Sequence, residues 1–227
     1  MLTPLLLYTA FFTVLHVVAQ VAVTRNYHRA FKISRGVAAG ILTLLGFTAL
    51  AFSLDEWRSA FLFAQDRRAG GRDFWMWHGL LIVLAHMLSD FLWMAWGFLR
   101  ERIIPRLDLV LHHAVGVGAF SYALWKEMGY AICLIAMASE LMPVSTGIVG
   151  WSQHKDDRRM LDWASTTRLR VLVWVRRPLW FGLAALTARP ILMGEVEDRF
   201  AVAYGIAAVG FTTLIFLDKY WIAKCKV

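Results

Sequence analysis

Residues 74–99 of the chain read FWMWHGLLIVLAHMLSDFLWMAWGFL, and Arg100 follows at once. Within this run only Asp90 carries a formal charge. A membrane-spanning helix needs roughly 20 consecutive, mostly apolar residues, and the run exceeds that length. Because polar and apolar residues do not alternate with a period of two, the pattern predicts a helix rather than a barrel strand. The stretch therefore indicates a helix that crosses a membrane.

Six more apolar segments, each bounded by charged residues, accompany this one along the chain. The first segment is predicted to be a helix and not a cleaved signal peptide, because no basic residue precedes Arg25. The sequence thus predicts an all-α integral membrane protein with about seven transmembrane helices in a single domain over residues 1–227. The segments are Leu2–Val23, Gly36–Leu54, Phe74–Leu99, Leu109–Trp125, Met128–Trp151, Leu169–Ala188 and Phe200–Leu217.

The overall composition agrees with a membrane protein. Of the 227 residues, 59% are hydrophobic and 18% are charged, and the mean hydropathy is +0.55. Soluble domains are typically about 45–50% apolar and about 25% charged. A large soluble domain and a nucleic-acid-binding module are therefore excluded, and the net charge of +8 is interpreted as a topology and lipid-contact signal. The two cysteines, Cys133 and Cys225, cannot form a disulfide framework or a Cys-x-x-Cys metal site.

Lysine and arginine are distributed unequally between the two sides of the predicted membrane domain. Loops one, three and five and the C-terminal tail carry about twice as many as loops two, four and six. The positive-inside rule therefore predicts an outside N-terminus and a cytoplasmic C-terminus. A bacterial inner membrane and an endoplasmic reticulum both fit this bias.

Ionisable side chains inside the predicted spans are the candidate functional residues. A charge at the centre of a membrane helix costs at least about 2.5–3.5 kcal/mol, so such residues are rare without a role. Counting a rise of about 1.5 Å per residue, helices three to six place charge in the cytoplasmic half of the membrane. A lone His16 is predicted to be a packing histidine, and His78 to belong to an interfacial aromatic belt. The others are His86, Asp90, His112, His113, Glu140, Arg176 and Arg177.

The spacing of these residues suggests chemistry. His86 and Asp90 are four residues apart and share a helix face. His112 and His113 lie about 100° apart on a helix, so one can face a cavity while the other packs against a neighbouring helix. A neutral imidazole beside a carboxylate can act as a base or nucleophile. The same buried pairs can instead lock helices together, and both interpretations stay open.

The segment from Asp90 to Trp151 resembles the TLC-domain family of multispan membrane proteins, which includes the ceramide synthases. Ceramide synthases place two aspartates close together in helix five, whereas this chain has Glu140 with no second acid in the following turn. The likeness is therefore greater to the other TLC-domain branches. The matching features are Ser89-Asp90, Leu111-His112-His113, Ser121-Tyr122, Glu140, Pro143, Ser145 and Trp151.

This resemblance implies a six-helix barrel over about residues 36–222, open to the cytoplasm, with the first helix outside it and a lipid chain inside. It implies acyl transfer from acyl-CoA, as co-substrate, to a lipid or long-chain amine, with no tightly bound cofactor and no metal. His112 or His113 would be the nucleophile, and Asp90 and Glu140 would orient the ring or accept protons. Substrate contacts are expected from His86, Ser145, Trp151, Arg176 and Arg177.

Other functions remain open. A non-catalytic protein of lipid binding or membrane lipid homeostasis would use the same cavity. Membrane lipids are the expected partners, and the Gly36-xxx-Gly40 pair leaves room for a homodimer. A haem protein could use His16, His86 and His112 as ligands. A zinc hydrolase is disfavoured because no histidine follows His154, and a transporter because no internal repeat is visible.

Overall fold

The computed structural model of the protein describes residues 2–52 and 74–225, without the side chains of residues 74–76 and 199. No strand occurs in this part of the chain, and seven of its helices are long and apolar enough to cross a membrane. The predicted all-α multi-span fold is therefore confirmed. The helices are α1 (Leu2–Val23), α2 (Tyr27–Phe52), α3 (Phe74–Glu101), α4 (Leu107–Lys126), α5 (Tyr130–Lys155), α6 (Arg158–Leu192) and α7 (Asp198–Cys225).

Several helices extend further than the apolar segments predict. Helix α2 begins at Tyr27 instead of Gly36, and α6 begins at Arg158 instead of Leu169. Hydropathy detects only the part of a helix that lies in hydrocarbon, whereas backbone hydrogen bonding continues into the polar interface. The basic residues of predicted loops one and five therefore lie largely on helices. The Asp55-Glu56 boundary and the arginines of predicted loop two lie outside the described residues.

Six helices form a closed ring. The order of contacts around it is α2, α3, α4, α7, α6 and α5, and α5 packs back against α2. Helix α1 lies outside the ring against α3 and α2, with Phe12 and His16 on its buried face. Its other faces expose large aliphatic side chains such as Leu6 and Val14, as expected for a helix in contact with lipid. The architecture is a six-helix barrel with an external first helix.

Glycines bring α2 and α5 together. A Cβ atom on Gly147 would lie 2.6 Å from Gly36 Cα, so the two backbones meet without side chains between them. Gly40, the second glycine of the Gly36-xxx-Gly40 pair, has nothing within 4 Å of the position of its missing Cβ. The first glycine of the pair thus serves packing within the chain.

Two helix irregularities shape the interior of the barrel. Helix α5 is interrupted at Ser139 and Glu140, between the segments Tyr130–Ala138 and Leu141–Lys155. Pro143 has no N–H to donate to the Ser139 carbonyl, which helps to explain the break. Helix α6 contains a π-helical turn, which is common at functional positions, over Leu172–Arg176. Both irregularities occur next to charged residues that point inward.

Candidate functional site

Asp90 is the centre of one buried polar group, which we call the Asp90 cluster. Its Oδ2 atom accepts hydrogen bonds from Arg35 Nε at 2.6 Å and from His113 Nε2 at 2.7 Å. Its Oδ1 atom lies 3.0 Å from His16 Nε2 and 3.9 Å from His86 Nδ1. The carboxylate is fully buried. Four helices, α1 to α4, therefore meet at one carboxylate.

His16 is a member of this cluster that the sequence did not single out. It was predicted to be a packing histidine, and it does stack on Trp93 with ring centroids 5.3 Å apart. Its Nδ1 atom also lies 2.6 Å from Ser34 Oγ, and its Nε2 atom faces Asp90. No signal within α1 alone places its histidine opposite a carboxylate on α3. The signal that could have predicted this partner is a single polar residue, His16, on the buried face of α1.

Arg35 was missed because it was assigned to a loop. Helix α2 begins eight residues earlier, so the Arg35 guanidinium reaches Asp90 from a helix and is largely buried, with 12% of the side chain exposed. This contact pairs the negative charge of Asp90 inside the membrane region, where an unpaired charge is costly. The cluster therefore needs no further cation to be electrically neutral when its histidines are neutral.

The Asp90 cluster also has the ligand types of a metal site. Atoms of His86, Asp90 and His113 lie within 4.8 Å of one another. A divalent ion there would add positive charge that no further described acid balances, because Arg35 already neutralises Asp90. The geometry therefore fits an ion-paired helix lock better than a cation site. His16 and His86 both face Asp90, and neither lines the two cavities described below, which leaves the haem arrangement without support.

A second buried group, the Glu140 cluster, connects α4 to α7. His112 Nε2 and Arg176 Nη1 lie 3.9 Å and 3.8 Å from Glu140 Oε1. Arg176 also contacts Asp218, with Nη2 and Oδ1 3.3 Å apart, and its Nη1 donates to the Ser139 carbonyl at 3.4 Å. The carbonyl that Pro143 cannot satisfy thus receives a hydrogen bond from α6. The Glu140 cluster comprises His112, Glu140, Arg176 and Asp218.

Asp218 is a buried acid that the sequence did not place in the interior. It was treated as a charge at the end of the last span, but α7 continues to Cys225 and Asp218 is fully buried. Arg176 Nε donates to both of its oxygens, at 3.3 Å and 3.4 Å. The arginine therefore lies between two carboxylates contributed by different helices.

Two cavities meet at the Glu140 cluster. An apolar chamber of about 100 Å³ runs inside the barrel, and a polar pocket of about 240 Å³ opens beside it. His112 and Glu140 line both of them. Along α4 the chamber extends from His112 to Ala123, a distance of about 16 Å at the helical rise. Its walls include Met87, Gly116, Phe120, Cys133, Met137, Trp180, Ala207, Gly210 and Phe211.

The polar pocket, which we call the basic pocket, is lined by five basic side chains, of which Arg35, Arg106 and Arg176 are ion-paired with Asp90, Asp108 and Asp218. Glu140 is the only acid among its lining residues. Arg168 Nε is buried there without a hydrogen-bond partner. Trp221 forms part of the wall, where its Nε1 donates to Asp108 Oδ2 at 2.6 Å and its ring meets His112 edge to face. The basic side chains are Arg35, Arg106, Arg168, Arg176 and Lys224.

The predicted catalytic residues divide between the two clusters. His112 and Glu140 reach the cavities, whereas His113 and Asp90 are bonded to each other and line neither cavity. His112 Nδ1 is buried without a partner, and Nε2 faces Glu140. Of the two histidines, only His112 is thus available to a molecule bound in the barrel.

Four of the five residues predicted to contact substrate lie away from the two cavities, and His86, beside Asp90, is one of them. Ser145 is buried in α5 but lines neither cavity, and Trp151 is 38% exposed on the outer side of α5 beside His154. Arg177 is exposed, with its guanidinium 5.7 Å from the Phe181 ring. Adjacent residues on a helix point in directions about 100° apart, so Arg176 and Arg177 cannot both face the interior.

Comparison with known protein families, with curated proteins and with solved structures finds no match. The resemblance to the TLC-domain family therefore stays a prediction from the sequence. What the chain does must be argued from its own geometry, which is a barrel with an apolar chamber, a basic pocket and one histidine–carboxylate pair between them.

Proposed function

We propose that the protein is a membrane-embedded acyltransferase that uses His112 to move an acyl group from an acyl thioester to a lipid or long-chain amine. The observation that carries the proposal is the position of His112 and Glu140 in the wall between the apolar chamber and the basic pocket. A molecule that fills both cavities at once must place its middle beside these two side chains.

The two cavities match the two halves of acyl-CoA in polarity. The apolar chamber offers a hydrocarbon chain an apolar environment along α4 and α7, between Ala123 and Leu214 among its lining residues. The basic pocket offers the Arg168 guanidinium, whose Nε has no hydrogen-bond partner, and guanidinium groups bind phosphate oxygens through charge-assisted hydrogen bonds. In such a molecule the thioester joins the chain to the phosphate-bearing part. It would therefore lie next to His112.

The proposed reaction has two steps. With its proton on Nδ1, His112 attacks the thioester carbonyl carbon through Nε2, the carbon–sulfur bond breaks, and the thiolate takes the Nδ1 proton. The acceptor amine then attacks the acyl carbon of the acyl-imidazole, and the carbon–nitrogen bond to the ring breaks. The proton that the amine loses returns to the imidazole by way of the Glu140 carboxylate.

The charges around Glu140 favour this use of a proton. Glu140 and Asp218 share a single guanidinium, that of Arg176. When all three are ionised, the group carries one excess negative charge in a buried site. Arg176 hydrogen-bonds Asp218 but lies 3.8 Å from Glu140, so Glu140 is the carboxylate left to accept the proton of the amine in the second step.

The Asp90–His113 pair has a positioning role in this proposal. His113 follows His112 directly, and its hydrogen bond to Asp90 sets the rotation of α4 about its own axis. That rotation turns His112 toward the two cavities. Asp90 and His113 are therefore positioning residues, and the catalytic roles belong to His112 and Glu140.

The alternative is a protein that binds a lipid in the chamber without transforming it. The separation of 3.9 Å between His112 Nε2 and Glu140 Oε1 favours this alternative, because it exceeds hydrogen-bond distance. In that case the Glu140 cluster would serve only to join α4, α5, α6 and α7. Acyl-CoA or a phospholipid would then bind and leave unchanged.

Thiol release from acyl-CoA separates the two functions. Purified protein in detergent is mixed with palmitoyl-CoA, free thiol is measured, and acid-quenched samples are digested to find acylated peptides. We expect thiol release and an acyl mass on the peptide that holds His112, both lost in His112→Ala. His154→Ala, at the C-terminal end of α5, is the matched control and should behave as the unaltered protein. Binding without thiol release in the unaltered protein would contradict catalysis and support the lipid-binding function.

A further inference from the structure

A second apolar cavity lies on the outside of the barrel. This outer groove has a volume of about 790 Å³ and lies between α2, the second half of α5 and the beginning of α6. Its floor is the contact between Gly36 and Gly147, where a Cβ on Gly147 would collide with Gly36 Cα at 2.6 Å. Because neither residue has a side chain, the helices approach closely and leave a trough between the side chains on either side. The apolar walls include Ile33, Val37, Val144, Ile148 and Met160.

The polarity of the groove changes from one end to the other. Trp151 and Trp163 line it and are 38% and 58% exposed, as is typical of tryptophans at a membrane–water interface. Arg159, also in its wall, is exposed and has no ion-pair partner among the described residues. Asp157, by contrast, is occupied as the N-cap of α6, where it accepts from the Met160 backbone N–H at 2.9 Å. The cationic group at this end is therefore free, and the anionic group is engaged.

A polar pocket continues from this end of the groove. It has a volume of about 370 Å³, and Asp157 lines both cavities. Its walls contribute Arg29, Arg158 and His28 together with the carboxylates of Asp156 and Asp157. The sequence of environments from the membrane outward is thus aliphatic wall, tryptophans, the free Arg159 guanidinium and a polar pocket of mixed charge. Acyl chains, glycerol backbone and phosphate of a phospholipid follow one another in the same order.

We propose that the outer groove is a binding site for an anionic glycerophospholipid, with an acyl chain between α2 and α6 and the phosphate on Arg159. Guanidinium groups near a membrane surface attract anionic headgroups and hydrogen-bond their phosphates. The residues of this site lie outside the barrel, so the site does not depend on the proposed acyl transfer. The glycine contact joins α2 to α5 and does not involve α6. A lipid in the groove would fill the space between α2 and α6 and hold these two helices together.

Competition between lipids in native mass spectrometry tests the site. The purified protein in detergent is mixed with equal amounts of palmitoyl-oleoyl phosphatidylglycerol and palmitoyl-oleoyl phosphatidylcholine. We expect the phosphatidylglycerol adduct to dominate, and Arg159→Gln to weaken it by about tenfold, as the loss of one charge-assisted contact does. Arg170→Gln removes the same charge from an exposed position further along α6 and should leave the adduct unchanged.

A second variant tests the apolar part of the groove. Val37 is 49% exposed, so Val37→Trp fills the trough without entering the core, and it should reduce both lipid adducts. His112→Ala, inside the barrel, should change neither adduct, which separates this site from the acyl-transfer site. Equal binding of the two lipids, or equal losses in Arg159→Gln and Arg170→Gln, would overturn the proposal. A protein dimer that Val37→Trp dissociates would also overturn it, because a second chain would then occupy the groove.

Discussion

The imidazole rings of His112 and His113 lie 5.2 Å apart, centroid to centroid, yet they belong to different clusters on different faces of α4. His113 Nε2 donates to Asp90 Oδ2 at 2.7 Å, whereas His112 faces Glu140 and the two cavities. Neighbouring residues of the same type therefore have separable roles, one in holding helices together and one in contact with a bound molecule.

Replacing either histidine should separate stability from activity. His113→Ala leaves Asp90 short of a buried hydrogen bond, so we expect it to lower the free energy of unfolding by about 1–3 kcal/mol. His112→Ala should cost less, because its Nε2 lies 3.9 Å from Glu140 and its Nδ1 has no partner, so no hydrogen bond is lost, but it should abolish thiol release. Denaturation in detergent and the thiol assay measure the two quantities. Equal destabilisation by both substitutions would contradict the division between the clusters.

Removing the carboxylate at Asp90 should be among the most damaging changes in the chain. Asp90→Ala leaves the Arg35 guanidinium buried without its partner, and breaking a buried ion pair in this way costs about 3–5 kcal/mol. Asp162→Ala, at an exposed position of α6, is the control and should have little effect. Adding Arg35→Met to Asp90→Ala should recover part of the stability. If the double variant unfolds as easily as Asp90→Ala, the buried pair is not the cause of the loss.

Filling the chamber should weaken the binding of acyl chains without changing the binding of the CoA part. Gly210 lines the chamber, and a Cβ there would make only an ordinary contact with Val115 at 3.8 Å, so Gly210→Leu should fold and occupy chamber space. We expect weaker binding of palmitoyl-CoA and unchanged binding of free CoA. Gly205→Leu places the same side chain on an exposed part of α7 with open space around it, and should alter neither. Calorimetric titration compares the variants, and unchanged palmitoyl-CoA binding by Gly210→Leu would place the chain elsewhere.

Neutralising the basic pocket should weaken binding of the phosphate-bearing part. Arg168 Nε is buried in the pocket without a partner, so Arg168→Gln should reduce the affinity for free CoA by about tenfold or more, as loss of a charged hydrogen bond does. The exposed Arg170→Gln carries the same change of charge outside the pocket. An equal reduction in both variants would indicate general attraction to a basic surface instead of a site.

The glycine contact between α2 and α5 gives a prediction about packing alone. Gly147→Ala introduces a Cβ at 2.6 Å from Gly36 Cα, and overpacking of this kind typically costs about 1–3 kcal/mol. Gly40→Ala, one turn along α2 in open space, should be neutral or slightly stabilising. Thermal denaturation in detergent compares them. A stable Gly147→Ala protein would show that the helices can separate at no cost.

The existence of the spans was predictable from the sequence because hydropathy is a local property. The ends of the helices were less so: Arg35 looks like a loop residue, yet it lies on α2 because the helix continues through the polar interface. The closed ring of six helices was implied only by the family resemblance. Apolar periodicity alone does not specify which helices become neighbours.

The candidate site was predictable in its residue types more than in its pairings. Charge inside an apolar run identified Asp90, Glu140 and Arg176. The partners His16 and Asp218 were missed because their roles depend on how one helix is rotated against another. Arg177 was predicted to contact substrate together with Arg176, and it is exposed, because the sequence does not reveal that only Arg176 turns toward the interior.

The position of a bound substrate analogue tests the central claim most directly. An experimental structure would be determined with a thioether analogue of palmitoyl-CoA, which cannot transfer its chain. The account predicts the alkyl chain in the chamber along α4, the phosphates beside Arg168, and the sulfur-linked carbon next to His112 Nε2. A chain that lies outside the barrel, or phosphates that leave the basic pocket empty, would contradict it.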